Sequence, residues 1–309
     1  MILTLKGVCI NNYMETPQYP NFKDIDTTDV AILGKFTQGF LPFSDFNPLS
    51  LICWNSENIN GYSFHNGNLI IRLKDYLTEG RIFSVLGNND IESTVDILLS
   101  DHSRLSMVPD FIASKLDSSK YNINPDRDSF DYIIDLEKFS SLSGGDYKGI
   151  RRHIRVFEEA YSNITVRKLK LTENEDSAML LSLTKDWANQ KKFNQEKLQE
   201  DIHMIQTFLE LSKGFTTNGY GLFKSGRLIA YTLNELIGSN WVMGHFGKSS
   251  YEYEYSSLYI EHATALEHFS LGYKFLNHQQ DTGLIGLRES KMALHPIKFL
   301  EKYTISFKV

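Results

Sequence analysis

Between residues 219 and 246 the chain carries three β-type runs in close succession, and this stretch restricts the fold more than any other. Gly219–Phe223 and Leu228–Leu236 are separated by Ser225-Gly226, a hairpin turn signal, and Asn240–Phe246 follows within a few residues. Connections this short oblige neighbouring strands to pair antiparallel. Stretches of helical period flank them, Glu173–Lys191 and Gln195–Leu211 before and Ser257–Ser270 after. A short run near Phe275 and a last one at Tyr303–Val309 complete this half. The pattern predicts an antiparallel sheet whose apolar faces are covered by helices.

Upstream, Leu69–Leu73 and Ile82–Leu86 read as strands bounded by Asn66-Gly67-Asn68 and Gly87-Asn88-Asn89. Asp90–Leu99 has helical spacing, with Ile91, Val95 and Leu98 on one side, and Phe130–Asp135 is another strand. Ser143-Gly144-Gly145 then breaks the chain. A length of 309 residues is more than one compact core usually holds. The expectation is an α+β protein of two lobes with mixed, mainly antiparallel sheets, 1–142 and 143–309, the second carrying the candidate site.

Thirty-eight acidic against 32 basic residues give a net charge of −6, so the chain as a whole is no polyanion binder, and any phosphate contact must be local. The apolar runs are too short to span a bilayer, and the first residues lack the order of a secretory signal. Cys9 and Cys53 stand alone, without a CxxC. These features lead to the expectation of a reduced, cytoplasmic protein with no transmembrane segment and no metal. Oligomeric state is not legible. No GxGxxG, Walker loop or GxSxG elbow is present, so dinucleotide binding, nucleotide hydrolysis and serine-hydrolase chemistry lack support.

Two constellations could carry chemistry. The helix Lys148–Tyr161 places Ile150, Ile154, Phe157 and Tyr161 on one stripe and Lys148, Arg151, Arg152 and Arg155 opposite. That basic face could hold phosphate, or be a solvated surface relieved by an Arg155–Glu159 pair. Arg167, Lys168 and Lys170 extend the basic density. In the second, Asn277–Lys291, Asp281 stands at a favourable N-cap position before a glycine-rich helix start. Arg288 and Lys291, three residues apart, share a helix face. Together Asp281, Arg288 and Lys291 could bind a charged substrate and stabilise an oxyanion; the alternative is an N-cap with a structural ion pair. His262 lies in an apolar stripe and reads as a packed, hydrogen-bonded histidine.

The residues also carry a family likeness. Tyr132–Phe139, Leu142-Ser143-Gly144 and Lys148–Phe157 resemble a segment of the DUF2156 proteins, relatives of the C-terminal domain of phosphatidylglycerol lysyltransferases. The tail is the more specific match: Asp281-Thr282-Gly283, Gly286-Leu287-Arg288, Lys291, then His295-Pro296 through Lys302-Tyr303. Ser44-Asp45-Phe46, Asn47, Leu49 and Trp54 echo the family's opening. The resemblance implies tandem GNAT-like acyltransferase lobes, and the order helix, helix, antiparallel strands, helix, strand agrees with one. It also implies transfer of an aminoacyl group from aminoacyl-tRNA, with no other cofactor, to a small-molecule or lipid-like acceptor. The basic helix would then meet tRNA phosphate. Two positions depart from the family: His278-Gln279 where Arg-Glu is frequent, and Gly247 where an acidic residue often precedes the lysine equivalent to Lys248.

Two other readings stay open. An acyl-CoA-dependent N-acyltransferase would use a CoA thioester, but the turn between Phe246 and Ser257 lacks the usual glycine-rich phosphate cradle. A non-catalytic binding protein would explain the charges absent at His278, Gln279 and Gly247.

Overall fold

The computed structural model describes residues 16–308 apart from 56 and 75–79. Cys9 and the chain's first residues lie outside that range. A four-stranded antiparallel sheet, in the order β1-β2-β3-β4, is formed by Lys23–Asp24, Gly61–His65, Asn68–Lys74 and Arg81–Leu86. Helices α1 (Val30–Thr37) and α2 (Pro48–Cys53) lie between its first two strands in sequence, and α3 (Ile91–Asp101) follows its last. The chain continues through β5 (Leu105–Pro109), α4 (Asp110–Ala113), β6 (Tyr121–Pro125), β7 (Asp131–Asp135), α5 (Leu136–Ser141) and α6 (Lys148–Ala160). Next come β8 (Ile164–Lys168), α7 (Asn174–Gln190), α8 (Gln195–Leu211), β9 (Thr217–Lys224), β10 (Arg227–Ile237) and β11 (Trp241–Ser249). The last elements are α9 (Ser256–Ser270), β12 (Phe275–Asn277), α10 (Ile285–Met292), β13 (Lys298–Leu300) and β14 (Lys302–Phe307).

The central sheet has seven strands in the order β13-β7-β12-β11-β10-β9-β8. Every neighbour pair in it is antiparallel except β11 with β12. The expected hairpin and third strand are therefore present, and the protein is α+β with mainly antiparallel sheets. Strand pairing crosses residues 142 and 143 in both directions. β7 joins the central sheet, while β14 pairs with β5 and β6 in a three-stranded sheet.

Helices cover both faces of the central sheet, and its longest strand, β10, is therefore buried along most of its length. On one face Leu180 and Leu183 of α7, Ile205 and Phe208 of α8, and Leu49 of α2 pack against Phe223, Tyr231, Leu233 and Phe246. On the other, Ile150 and Ile154 of α6, Ala265 of α9 and Phe139 of α5 meet Ile134, Val242 and Leu276. Phe157 of α6 is 1% exposed, so its truncation to alanine would cost about 3–5 kcal/mol. The paired glycines Gly219 and Gly221 have a packing role. A Cβ on either would lie 2.8 Å from a leucine methyl, of Leu171 or Leu228.

One local feature places the candidate site. β12 runs beside β11 only as far as Asn277, opposite Met243, whereas β11 continues to Ser249. The Gln279 side-chain amide then reaches across to the Gly244 carbonyl at 2.9 Å. The strands part at the point where the sequence enters the segment that carries Asp281.

Candidate functional site

Asp281 does not cap α10. The helix begins at Ile285 with Leu284 as its N-cap, and the Asp281 carboxylate instead closes a tight turn by accepting the Gly283 amide at 2.9 Å. Thr282 and Gly283 both have positive φ, and a Cβ on Gly283 would lie 2.9 Å from an Asp128 oxygen. The backbone conformation favours glycine there, and a larger residue would also have to push the Asp128 carboxylate aside. The turn sends the chain back so that Arg288, one helical turn into α10, lies over the carboxylate.

The resulting contacts are dense. Arg288 donates from Nε to Asp281 Oδ2 and from Nη2 to Oδ1, both at 2.9 Å, and Nη2 also meets Asp128 at 2.6 Å. The Tyr132 hydroxyl of β7 donates to Asp281, and Arg127 approaches the same oxygen at 3.3 Å. Burial alone would raise the Asp281 carboxyl, but the bonds from Arg288, Tyr132 and the Gly283 amide outweigh it and hold it at about 2. The carboxylate is fully buried while the Arg288 side chain stays 35% exposed. Arg288 Nη1 makes no hydrogen bond among the described residues.

Lys291 is turned inward, 5% exposed. Its ammonium donates to the backbone carbonyls of His278 and Gln280, and burial pushes it down to about 8. Asp281, Arg288 and Lys291 thus converge, with Asp281 holding Arg288 and Lys291 fastening the loop that leaves β12. Concavities among the described residues elsewhere include a small cavity between Trp54, Asn55, Lys197 and Met204, and a groove beside Phe111, Ile123, Glu301 and Tyr303.

Behind this site lies a second buried network, whose residues stand far apart in the sequence and share no local pattern. Lys302, fully buried at the start of β14, pairs with Asp131 at 2.8 Å and with Asp45. Asp131 also accepts the Ser44 amide at 2.8 Å and the Asn277 side chain at 3.0 Å. Gln280 bridges the two buried lysines: its side-chain oxygen faces Lys302 at 3.3 Å and its backbone carbonyl accepts from Lys291 at 2.8 Å. Ser44-Asp45 and Lys302-Tyr303 both belong to the family-like segments, which was the available signal. A third cluster has the outline of a Ser-His-Glu relay, with Ser50 Oγ 3.5 Å from His245 Nδ1 and His245 Nε2 3.2 Å from Glu235. Ser50 is 5% exposed and the His245 side chain fully buried, so this group ties α2 to the sheet and is closed to substrate.

All four cations of α6, Lys148, Arg151, Arg152 and Arg155, are exposed, opposite the buried Ile150, Ile154 and Phe157. None of them meets a carboxylate within 4 Å among the described residues, so the Arg155–Glu159 pairing is not formed. Arg151 is partly occupied, donating to the carbonyls of Leu142 and, at 2.8 Å, Gly144. Of the further basic residues, Arg167 forks onto Asp176 at 2.9 and 2.5 Å and Lys170 pairs with Glu173 at 3.0 Å, while Lys168 is exposed. Tyr147, at the N-terminus of α6, packs edge-on to His295 just beyond α10, at 5.1 Å. His262 is a packed residue whose Nε2 donates to the Ser140 carbonyl at 3.0 Å. No described helix is long and apolar enough to cross a membrane.

Known proteins share this architecture. A conserved protein of unknown function from Bacteroides thetaiotaomicron superposes with a TM-score of 0.79 at 20% identity, covering 93% of this chain and 99% of its own. The C-terminal DUF2156 domain of a putative lysylphosphatidylglycerol synthetase from Agrobacterium fabrum gives 0.63 at 12% identity, with 90% and 91% covered. L-PGS from Bacillus licheniformis gives 0.61 at 15% identity, with 92% of each chain covered. These likenesses establish the fold. No curated protein sequence matches the chain. The family profile described as "Phosphatidylglycerol lysyltransferase, C-terminal" matches residues 106–306, which include β7, α6, Asp281, Arg288, Lys291 and Lys302. The chain therefore belongs to the phosphatidylglycerol lysyltransferase C-terminal family.

Proposed function

We propose that this chain is an aminoacyltransferase that moves an aminoacyl group from aminoacyl-tRNA to an amine or hydroxyl of a small-molecule or lipid-like acceptor. Its scaffold is read as two GNAT-like lobes in tandem, with the chemistry in the second. The observation that carries this reading is Arg288, fixed by two carboxylates within the family-matched segment and still a third exposed. An aminoacyl ester is already activated. The protein has only to orient the acceptor and stabilise the charge that develops on the carbonyl oxygen. A guanidinium that cannot swing away, with Nη1 free to donate, suits the second task. Lys148, Arg152 and Arg155 are exposed cations suited to the phosphates of the acceptor stem, with Arg151 contributing its remaining donors.

The acyl-CoA alternative gains no support at the start of α9. The segment from β11 to α9, Ser250–Tyr255, has no glycine, and Tyr255 caps the helix with positive φ. The test is transfer of radiolabel from total tRNA charged with a mixed amino-acid pool to glycerol or phosphatidylglycerol vesicles. Label appearing in the acceptor supports the reading. No transfer, together with a melting temperature raised by acetyl-CoA and not by charged tRNA, would replace it with the acyl-CoA reading.

A further inference from the structure

We propose that His278 is the general base of the transfer, oriented by Glu261 of α9; the inference rests on the aminoacyl-transfer reading above. In sheets with parallel neighbours, ligands bind in the crevice beyond the carboxyl ends of those strands. β11 and β12 are the parallel pair here, and His278 is the first residue past the end of β12.

Its backbone is pinned on both sides. The His278 amide donates to the Tyr132 carbonyl at 2.8 Å, and its carbonyl accepts from the buried Lys291 ammonium. Held there, the side chain faces α9, with Nε2 3.6 Å from Glu261 Oε1. Both side chains are accessible, 22% and 25% exposed. That separates this histidine from its neighbours in the fold: the His245 side chain is fully buried, and His268 is 1% exposed against Asn218. A histidine with a carboxylate behind it and solvent access in front is the arrangement of an oriented proton acceptor. The 3.6 Å separation is slightly longer than a hydrogen bond, and such contacts commonly tighten when substrate binds.

The step balances without an oxidant or metal. As the acceptor nitrogen or oxygen bonds to the ester carbonyl carbon, its proton passes to Nδ1, the nitrogen turned away from Glu261. The carbonyl π pair moves onto oxygen. Collapse of the tetrahedral intermediate reforms the carbonyl and breaks the bond to the ribose oxygen, which takes the proton back from His278.

The experiment uses the full chain with charged total tRNA, and glycerol or phosphatidylglycerol vesicles as acceptor. His278→Ala should lower turnover about 100-fold or more, with half-saturation by charged tRNA nearly unchanged, and added imidazole should restore part of the rate. Glu261→Gln should lower turnover by about tenfold and keep the same half-saturation. A His278→Ala protein at wild-type turnover overturns the proposal. So does a slow His278→Ala protein that melts at the wild-type temperature and does not respond to imidazole. An inactive wild-type protein would instead overturn the transferase reading, and the His278 assignment with it.

Discussion

Arg288 and Asp281 meet through two parallel hydrogen bonds, both at 2.9 Å, across the boundary between the protein interior and solvent. The carboxylate has no exposure, so its charge depends on Arg288, Tyr132 and the Gly283 amide. Held at about 2, it lies below an ordinary aspartate near 3.9. The unfolded chain therefore binds this proton first on acidification. The stability it supplies is complete above about pH 4 and is lost as pH falls toward about 2. Asp281→Asn should flatten the fall of the urea midpoint across that window. Asp281→Ala, which leaves Arg288 with Asp128 as its carboxylate partner among the described residues, should lower stability at neutral pH and abolish the same acid dependence. Equal acid slopes for wild type and Asp281→Asn would contradict the geometry.

Lys291 titrates in the opposite sense. Burial pushes its ammonium down to about 8, so between about pH 8 and 10.5 the unfolded chain is the better proton binder. Stability contributed at this position should rise across that range. Lys291→Met keeps the stem and removes the charge, and it should abolish the rise while leaving the carbonyls of His278 and Gln280 unpaired. A loss of about 1–3 kcal/mol at pH 7 is expected from those carbonyls, offset in part by relief of the buried charge. Urea titrations at pH 7, 8.5 and 10 would measure both effects.

Lys302 joins three parts of the chain: Ser44-Asp45 near the start, Asp131 on β7, and its own position on β14. Removing it by Lys302→Met leaves two buried carboxylates facing each other. Burial lifts Asp45 to about 6 against the pull of Lys302, with Asp131 adding to the rise. Loss of the lysine should cost about 3–5 kcal/mol, and adding Asp45→Asn to Lys302→Met should recover part of it. A double variant no more stable than the single one would show that repulsion between the carboxylates is not what the lysine relieves.

The sequence was most legible where local rules act alone. The turn Ser225-Gly226 and the flanking runs announced β9 and β10, and the stripe Ile150, Ile154, Phe157 announced α6 with its basic face outward. It was least legible where partners are distant in sequence. Asp281 sits where an N-cap would sit, yet the positive φ of Thr282 and Gly283 delays the helix to Ile285 and frees the carboxylate for Arg288. Arg127, Asp128 and Tyr132 complete that site from about 150 residues upstream. No periodicity reports such a convergence. Nor does any local signal assign β14 to the sheet of β5 and β6, or reveal that Arg167 is taken up by Asp176.

The basic face of α6 gives the sharpest separation between a solvated surface and a phosphate contact. Arg152 and Arg155 are exposed and meet no carboxylate within 4 Å among the described residues, so reversing them disturbs no ion pair there. Arg152 does lie 3.1 Å from the His153 ring, which stacks on Tyr255 at 4.3 Å, so Arg155→Glu alone serves as the cleaner first variant. If the face binds tRNA, Arg155→Glu should weaken binding at every salt concentration, and Arg152→Glu/Arg155→Glu should weaken it further. The slope of log affinity against log salt should also fall, by about one for each phosphate that is no longer neutralised. Thermal stability should stay within about 0.5 kcal/mol of wild type, because surface substitutions outside specific interactions rarely do more. Filter binding with charged tRNA from about 50 to 200 mM salt, the range over which such phosphate neutralisation shows, measures the slope directly. Unchanged affinity and slope in the double variant would make α6 a solvated face and move the search for the tRNA-binding surface elsewhere on the protein.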